Sequence, residues 1–278
     1  MITKHRQKPF LKWAGNKFRI IDHISEKLPE GKRLIEPFCG SAALFLNSSY
    51  KNYIIADSNH DLINLYRILQ KEGNEFIGFC KQFFTKENNS AEVYYHYRDE
   101  FNQTSDERLK AALFIYLNKH GYNGLCRYNQ SGGFNVPFGR YIKPYLPKDE
   151  MLFFFEKSKK VKFLNQPFQE TMKMATKGDV IYCDPPYVPL SATNSSFQYE
   201  KNGFNQHAQM ELATLAEKLS HKGIPVLVSN HYTEFTKEIY KEANLKTFYV
   251  RRNISCKIAN REKAQEVLAL FNRDNIKK

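Results

Sequence analysis

Six short runs in this 278-residue chain are dense in apolar, β-branched and aromatic residues. They are "RLIEPF" at 33–38, "YIIADS" at 53–58, "VIYCD" at 180–184, "IPVLVS" at 224–229, "KTFYVRR" at 246–252 and "EVLALF" at 266–271. Several are nearly continuous rather than alternating, which is the pattern of parallel strands covered on both faces. Helical spacing separates them. "SAALFLNSS" follows the first run, "NHDLINLYRILQK" the second, and "NQHAQMELATLAEKLSHKG" precedes the run at 224. Strands alternating with helices predict an α/β, doubly wound sheet.

That rhythm fails between roughly Ser58 and Tyr145. "AEVYYHYRDEFN" and "DERLKAALFIYLNKHGY" read as helices. After them comes "NGLCRYNQSGGFNVPFGRYIKPY", rich in Gly, Asn, Tyr and Arg, where "QSGG" reads as a turn between two short extended pieces. The expected organisation is a sheet domain over 1–57 and 145–278, interrupted by a mainly helical insertion over 58–144 that carries a basic, aromatic hairpin.

Composition narrows the partners. Forty-two Lys and Arg stand against 29 Asp and Glu, a formal charge of +13. A surface of that sign attracts phosphates at long range, so a polyanion is the expected partner. Five cysteines are dispersed with no CxxC pair, which points to reduced thiols and to no zinc or other metal site. The basic N-terminus lacks the apolar core of a signal peptide, and no apolar run approaches transmembrane length. A soluble, intracellular protein with no membrane partner is expected, with the final "NRDNIKK" as a basic tail.

Candidate chemistry sits at two strand ends. "EPFCGSA" lies where the first strand turns into the first helix, and its small residues let the backbone approach a ligand. Asp57 ends the next strand, where an acid can accept hydrogen bonds from ribose hydroxyls or cap the helix that follows. Gly40 is the only glycine of the turn, which disfavours a pyrophosphate. A nucleoside-like cofactor without phosphates fits better, with S-adenosylmethionine the obvious one.

The second strand end is "VIYCDPPYVPL". Prolines this dense end a strand, and they place Asp184 at its carboxyl tip, where open α/β sheets bind ligands. The carboxylate accepts one hydrogen of an amino group, the Pro185 carbonyl accepts the other, and Tyr187 offers a face to a flat ring. An exocyclic amino group is a poor nucleophile because its lone pair is delocalised into the ring. Two acceptors pulling its hydrogens bias the nitrogen towards a tetrahedral geometry, and a methyl group can then transfer in one in-line displacement. No covalent intermediate is needed, so Cys183 reads as a buried strand thiol.

These residues carry a family resemblance. "DPPY" resembles motif IV of the amino-methyltransferases in the form typical of N6-adenine enzymes on DNA, "EPFCGSA" resembles their motif I, and "FLKWAGNK" at 10–17 resembles the motif preceding it. With motif I before the insertion and DPPY after it, the order is the alpha arrangement. "YNGLCRYNQSGGFNVPFGRY" is similar to the recognition segment of the DNA adenine methyltransferase (Dam) family. The resemblance runs from about Phe10 to the strand near 270, and its one departure is Ala42, where the family pattern has a second glycine.

The resemblance implies a Rossmann-like class I methyltransferase sheet and S-adenosylmethionine as donor, with S-adenosylhomocysteine as product. It places Trp13, Ala14, Gly15, Lys17, Phe38, Gly40, Asp57 and Asp184 around the cofactor, with Asp184, Pro185, Pro186 and Tyr187 as the catalytic motif. It implies recognition of GATC in double-stranded DNA. Lys12 would read the first guanine and Leu125, Arg127 and Pro137 the later base pairs, while Tyr122 and Asn123 wedge into the stack as adenine flips out. Arg127 has the chemistry to read a guanine edge, and Arg140 and Lys143 suit phosphate contacts. A cytoplasmic, bacterial or phage-type monomer follows, with room for more than one copy on a duplex. The rival readings are an amino-methyltransferase of the same fold acting on RNA or protein glutamine, and a non-catalytic DNA-binding relative. The Asp at 184 counts against the first, and an intact DPPY against the second.

Overall fold

The computed structural model describes residues 6–189, 204–251 and 263–272. Leu190, Arg252, Cys256 and the tail from residue 273 lie outside them. In chain order the elements are α1 (Ile21–Lys27), β1 (Arg33–Glu36), α2 (Ala43–Asn47), β2 (Asn52–Asp57), α3 (His60–Glu72), α4 (Asn74–Lys81), α5 (Ala91–Gln103) and α6 (Glu107–His120). They continue with α7 (Lys148–Ser158), β3 (Val161–Asn165), α8 (Phe168–Lys173), β4 (Asp179–Cys183), α9 (Gln206–His221), β5 (Val226–His231), α10 (Glu234–Ile239), β6 (Asn244–Arg251) and β7 (Lys263–Phe271). All six expected strands are present. The sheet has seven strands in the order β3-β2-β1-β4-β5-β7-β6. The strand beyond the expected six is β3, at the edge.

The chain divides into two compact units. One holds Met1–Asp22, Cys39–Ser49 and Ile55–Asn165, the other His23–Phe38, Tyr50–Ile54 and Gln166–Lys278. In the first, α3 starts where Asn59 accepts the Leu62 N–H at 3.0 Å and stops at Gly73, whose φ of +54° suits glycine. Its buried face, Leu62, Leu65, Tyr66 and Leu69, follows helical spacing. Tyr66 meets Phe10 and Phe154 at centroid distances of 5.9 and 4.7 Å, and Phe154 stacks on Phe163. Asp106 caps α6, which is buried without a break from Ala111 to His120.

In the second unit, β4 pairs in parallel with β1 through Arg33↔Asp179 and Ile35↔Ile181, and with β5 through Ile181↔Val226 and Cys183↔Val228. β7 runs antiparallel to β5 and β6. Every residue of β4 is buried, which explains its apolar run from Val180 to Cys183, and Asp179 at its start is paired with Arg33. Parallel β1 and β4 are neighbours in the sheet but far apart in the chain. Their carboxyl ends therefore mark a switch point, the usual ligand crevice of an open sheet.

Candidate active site

In the first unit the glycine turn is a tightly fastened structure. Gly40 has φ +45°, its N–H donates to Asp57 Oδ2 at 3.0 Å, and its carbonyl accepts the Tyr66 hydroxyl at 2.6 Å. A Cβ on Gly40 would lie 2.7 Å from Trp13 Nε1, so only glycine allows the indole this close. Ala42 stands at φ +59° with no exposure. The turn thus keeps the left-handed bend of the expected second glycine at a cost of about 1 kcal/mol.

Asp57 is held on both oxygens, Oδ1 by the Asn59 N–H at 3.0 Å and Oδ2 by Gly40. Burial raises its carboxyl above the ordinary range, against the pull of the Asn59, Gly40 and Ser58 backbone donors. The α3 cap is Asn59, so Asp57 is not spent on capping. Lys17 is buried, with Nζ 2.6 Å from the Gly15 carbonyl, whereas Ala14 and Gly15 are exposed. The glycine cradle, fixed acid, indole and buried ammonium fit a nucleoside bearing an amino acid, and the single-glycine turn offers no pyrophosphate nest.

The DPPY motif lies in the second unit, directly after β4. Ser229, buried on β5, donates to Asp184 Oδ1 at 3.0 Å and lies 3.0 Å from the Tyr182 hydroxyl. Burial, then Asp184, pushes the Tyr182 phenol well above its ordinary pKa. A phenol that stays protonated donates to Ser229, which leaves the serine proton for Asp184. The motif's main chain is held from three sides. Gln209 donates to the Pro186 carbonyl at 2.7 Å, Asn230 Oδ1 accepts the Val188 N–H at 3.0 Å, and His231 Nδ1 lies 2.6 Å from the Val188 carbonyl. Asn230 is tied back to Gln209 and Tyr240. Among the described residues, the Pro185 carbonyl receives no hydrogen bond, so it keeps its acceptor capacity.

Tyr187 is oriented by its hydroxyl, 3.2 Å from Glu266 Oε2, and by an edge contact with His231. Phe38, at the end of β1, stacks on Phe168 at 5.3 Å and meets Phe204 edge-on. Cys183 is buried, and burial drives its thiol pKa up, the opposite of an activated nucleophile.

The expected DNA-reading residues fall in the first unit. Tyr122, Asn123, Arg127, Pro137, Arg140 and Lys143 are exposed, and Leu125 is half-buried. Antiparallel pairing there consists of two single bridges, Gly121↔Phe138 and Tyr128↔Phe134. The turn between them closes through the Asn129 N–H on the Gly133 carbonyl at 2.9 Å. Asn123 and Arg140 both have positive φ. Lys12 is clamped by Asn118, which accepts its N–H at 2.9 Å and donates to its carbonyl at 2.7 Å. Its ammonium lies over the Tyr141 ring. Gly124 must be glycine, because a Cβ there would come within 2.3 Å of the Lys12 side chain.

Sequence reading missed Ser229, Asn230, Gln209, His231, Glu266 and Asn118. The available signal was "SNH", a polar group ending an apolar strand. Among the described residues, no group of three or more His, Cys, Asp or Glu could hold a metal, and no helix is long and apolar enough to cross a membrane.

Comparison with known proteins extends these observations. The chain is 47% identical over 266 residues to the DNA adenine methylase of Escherichia coli (strain K12), covering 96% of both chains. It is 47% identical over 267 residues to the DNA adenine methylase of Serratia marcescens, covering 96% of this chain and 99% of the relative. Solved structures align more distantly. A precorrin 8W decarboxylase from Methanobacterium thermoautotrophicum gives a TM-score of 0.42 at 9% identity, covering 96% of this chain and 99% of the other. Residues 13–254 match the D12 class N6 adenine-specific DNA methyltransferases, and with relatives this similar over nearly its whole length the chain belongs to that family, with its Rossmann-like methyltransferase fold.

Proposed function

We propose that this chain methylates N6 of adenine in GATC sites of double-stranded DNA, with S-adenosylmethionine as donor and the target base flipped out of the duplex. The observation that carries the chemistry is the strand end at Asp184. One carboxylate oxygen is fixed by Ser229, and beside it the Pro185 carbonyl keeps its acceptor capacity. When bound, S-adenosylmethionine supplies a methyl group activated by a positively charged sulfur. Trp13, Ala14, Gly15, Lys17, Phe38, Gly40 and Asp57 hold it, with Lys17 set for its carboxylate and Asp57 for its ribose hydroxyls.

Asp184 and the Pro185 carbonyl accept the two amino hydrogens and turn the N6 lone pair out of the ring plane. Proton loss accompanies or follows transfer. Pro186 keeps the tip rigid, and Tyr187 stacks on the adenine. Flipping costs a few kcal/mol, which stacking on Tyr187 and insertion of Tyr122 and Asn123 offset in part. Residues 58–144 form the recognition part and 1–57 with 145–278 the catalytic part. Lys12, Leu125, Arg127 and Pro137 read base edges, and Arg140 and Lys143 hold phosphates.

The test is transfer of labelled methyl to two duplexes differing only in GATC against GTTC, followed by nucleoside analysis. N6-methyladenine on GATC alone is expected. Equal labelling of both would keep the chemistry and discard the recognition assignments.

A further inference from the structure

Arg127 is exposed, yet its side chain is held. Its Nε–H donates to Asn135 Oδ1 at 2.7 Å and its Nη2 donates to the Asn135 backbone carbonyl at 3.0 Å. The Asn135 N–H returns a bond to the Arg127 carbonyl at 3.0 Å. Three hydrogen bonds therefore join two residues on opposite limbs of one loop.

Each limb is pinned on both sides of that pair. Cys126 accepts from Asn59 Nδ2 at 3.5 Å, and the Tyr128 hydroxyl donates to Asp61 Oδ2 at 2.7 Å, so both flanks of Arg127 are fastened to the start of α3. On the other limb, Phe134 exchanges two bonds with Asn102 of α5, at 2.8 and 3.1 Å, and the Val136 carbonyl accepts the Tyr94 hydroxyl at 2.9 Å. Residues 126, 128, 134 and 136 face α3 and α5, while 127 and 135 meet on the other side.

Donor counting shows what remains. A guanidinium has five N–H donors. Asn135 occupies one on Nε and one on Nη2. Three remain, both on Nη1 and the second on Nη2, and these include the end-on fork that matches two parallel acceptors on a guanine edge. A free arginine loses rotamer entropy when it is fixed on a ligand. Here the protein has ordered the side chain before any ligand arrives.

We propose that Asn135 is a positioning residue for sequence discrimination, aiming the end-on fork of Arg127 at a guanine. This rests on the reading of Arg127 as a base reader. Asn135 itself contributes through the arginine and contacts no base.

The test uses the full-length protein with methyl transfer to GATC and to every duplex that differs from it by one base pair. Asn135→Ala is expected to lower discrimination about ten-fold at a single pair, the same one Arg127→Ala affects, and to leave ratios at the other pairs unchanged. The double variant should match Arg127→Ala alone, because the two residues act as a unit. Additive losses, or losses spread over all pairs, would overturn the positioning role in favour of an independent DNA contact or a general loosening of the loop. Should Arg127→Ala keep full discrimination everywhere, the base-reader assignment fails first, a result distinct from failure at Asn135. Thermal unfolding of Asn135→Ala within a few degrees of the parent keeps a folding defect apart from both.

Discussion

Ser229 reaches the Asp184 carboxylate, the proposed catalytic group, from a neighbouring strand, 45 residues away in the chain. Its hydroxyl is buried and can donate only once, and Tyr182 supplies a donor from behind. Removing a hydrogen bond to a charged group inside a protein costs about 1.5–3 kcal/mol. If that bond fixes which Asp184 oxygen meets the amino group, the cost falls on the transition state. Ser229→Ala is therefore expected to lower the single-turnover methylation rate about ten-fold or more while leaving the DNA and cofactor dissociation constants near the parent. Tyr182→Phe should cost less, since the serine proton stays aimed at Asp184. A Ser229→Ala variant that binds DNA weakly but turns over normally once saturated would falsify the positioning role. The sequence made Asp184, Pro185 and Tyr187 legible because prolines and an acid at a strand tip carry their own chemistry. It left Ser229 silent, because a serine inside an apolar strand gains meaning only from the strand beside it.

At the scale of elements, the last turn of α6 shows how burial tunes a charge. Asn118, Lys119 and His120 are all buried there. Burial first, and then neighbouring Lys12, lowers the Lys119 ammonium from 10.5 to about 8, with Glu150 pulling weakly the other way. Between about 8 and 10.5 the unfolded chain binds a proton at this site that the folded chain has released, so this contribution to stability rises with pH. Below that window the folded state carries the full cost of the buried charge. Lys119→Met, similar in size and uncharged, is expected to be about 2 kcal/mol more stable than the parent at pH 7, with the gap closing by pH 10. Paired denaturant midpoints at the two pH values check this, and a gap independent of pH would sink it. Such a site is invisible in "IYLNKHGY", which reads as a helix end with a basic last turn. Elements were legible where their pattern was strong: the unbroken apolar runs became β4 and β5, and the capped, periodic stretch after Asp57 became α3. Edge strand β3 was missed because "VKFLN" is short, with Lys162 and Asn165 turned outwards. Helices α7 and α8 lie in the same stretch, where apolar and charged residues alternate too irregularly for either period to stand out.

For the molecule as a whole, the excess of positive charge is concentrated rather than spread. Between Arg108 and Lys148 there are seven Lys and Arg and no Asp or Glu, against a net of +13 for the entire chain. Arg108 and Lys110 are used internally, on Glu72 and Asp61. Among the described residues, Lys119, Arg127, Arg140, Lys143 and Lys148 form no ion pair. A stretch of this kind is repelled by nothing on a phosphate backbone, and each phosphate it neutralises releases counterions into solution. Two kinds of cation are then separable by measurement. Arg140, exposed and at φ +52°, is proposed as a phosphate contact, which carries no sequence information. Arg127, held by Asn135, is the proposed reader of a base edge. Binding to a duplex lacking GATC should weaken linearly on a log–log plot against salt, with a slope of about 0.9 per phosphate contacted. Arg140→Ala is expected to reduce that slope by about one and to weaken cognate and non-cognate duplexes alike. Arg127→Ala should instead narrow the ratio between them. Titrations at four or more salt concentrations on both duplexes decide the matter. If Arg140→Ala left the slope intact and changed only the ratio, the arginine would be reading sequence, and the division between phosphate-holding and base-reading cations in this loop would have to be redrawn.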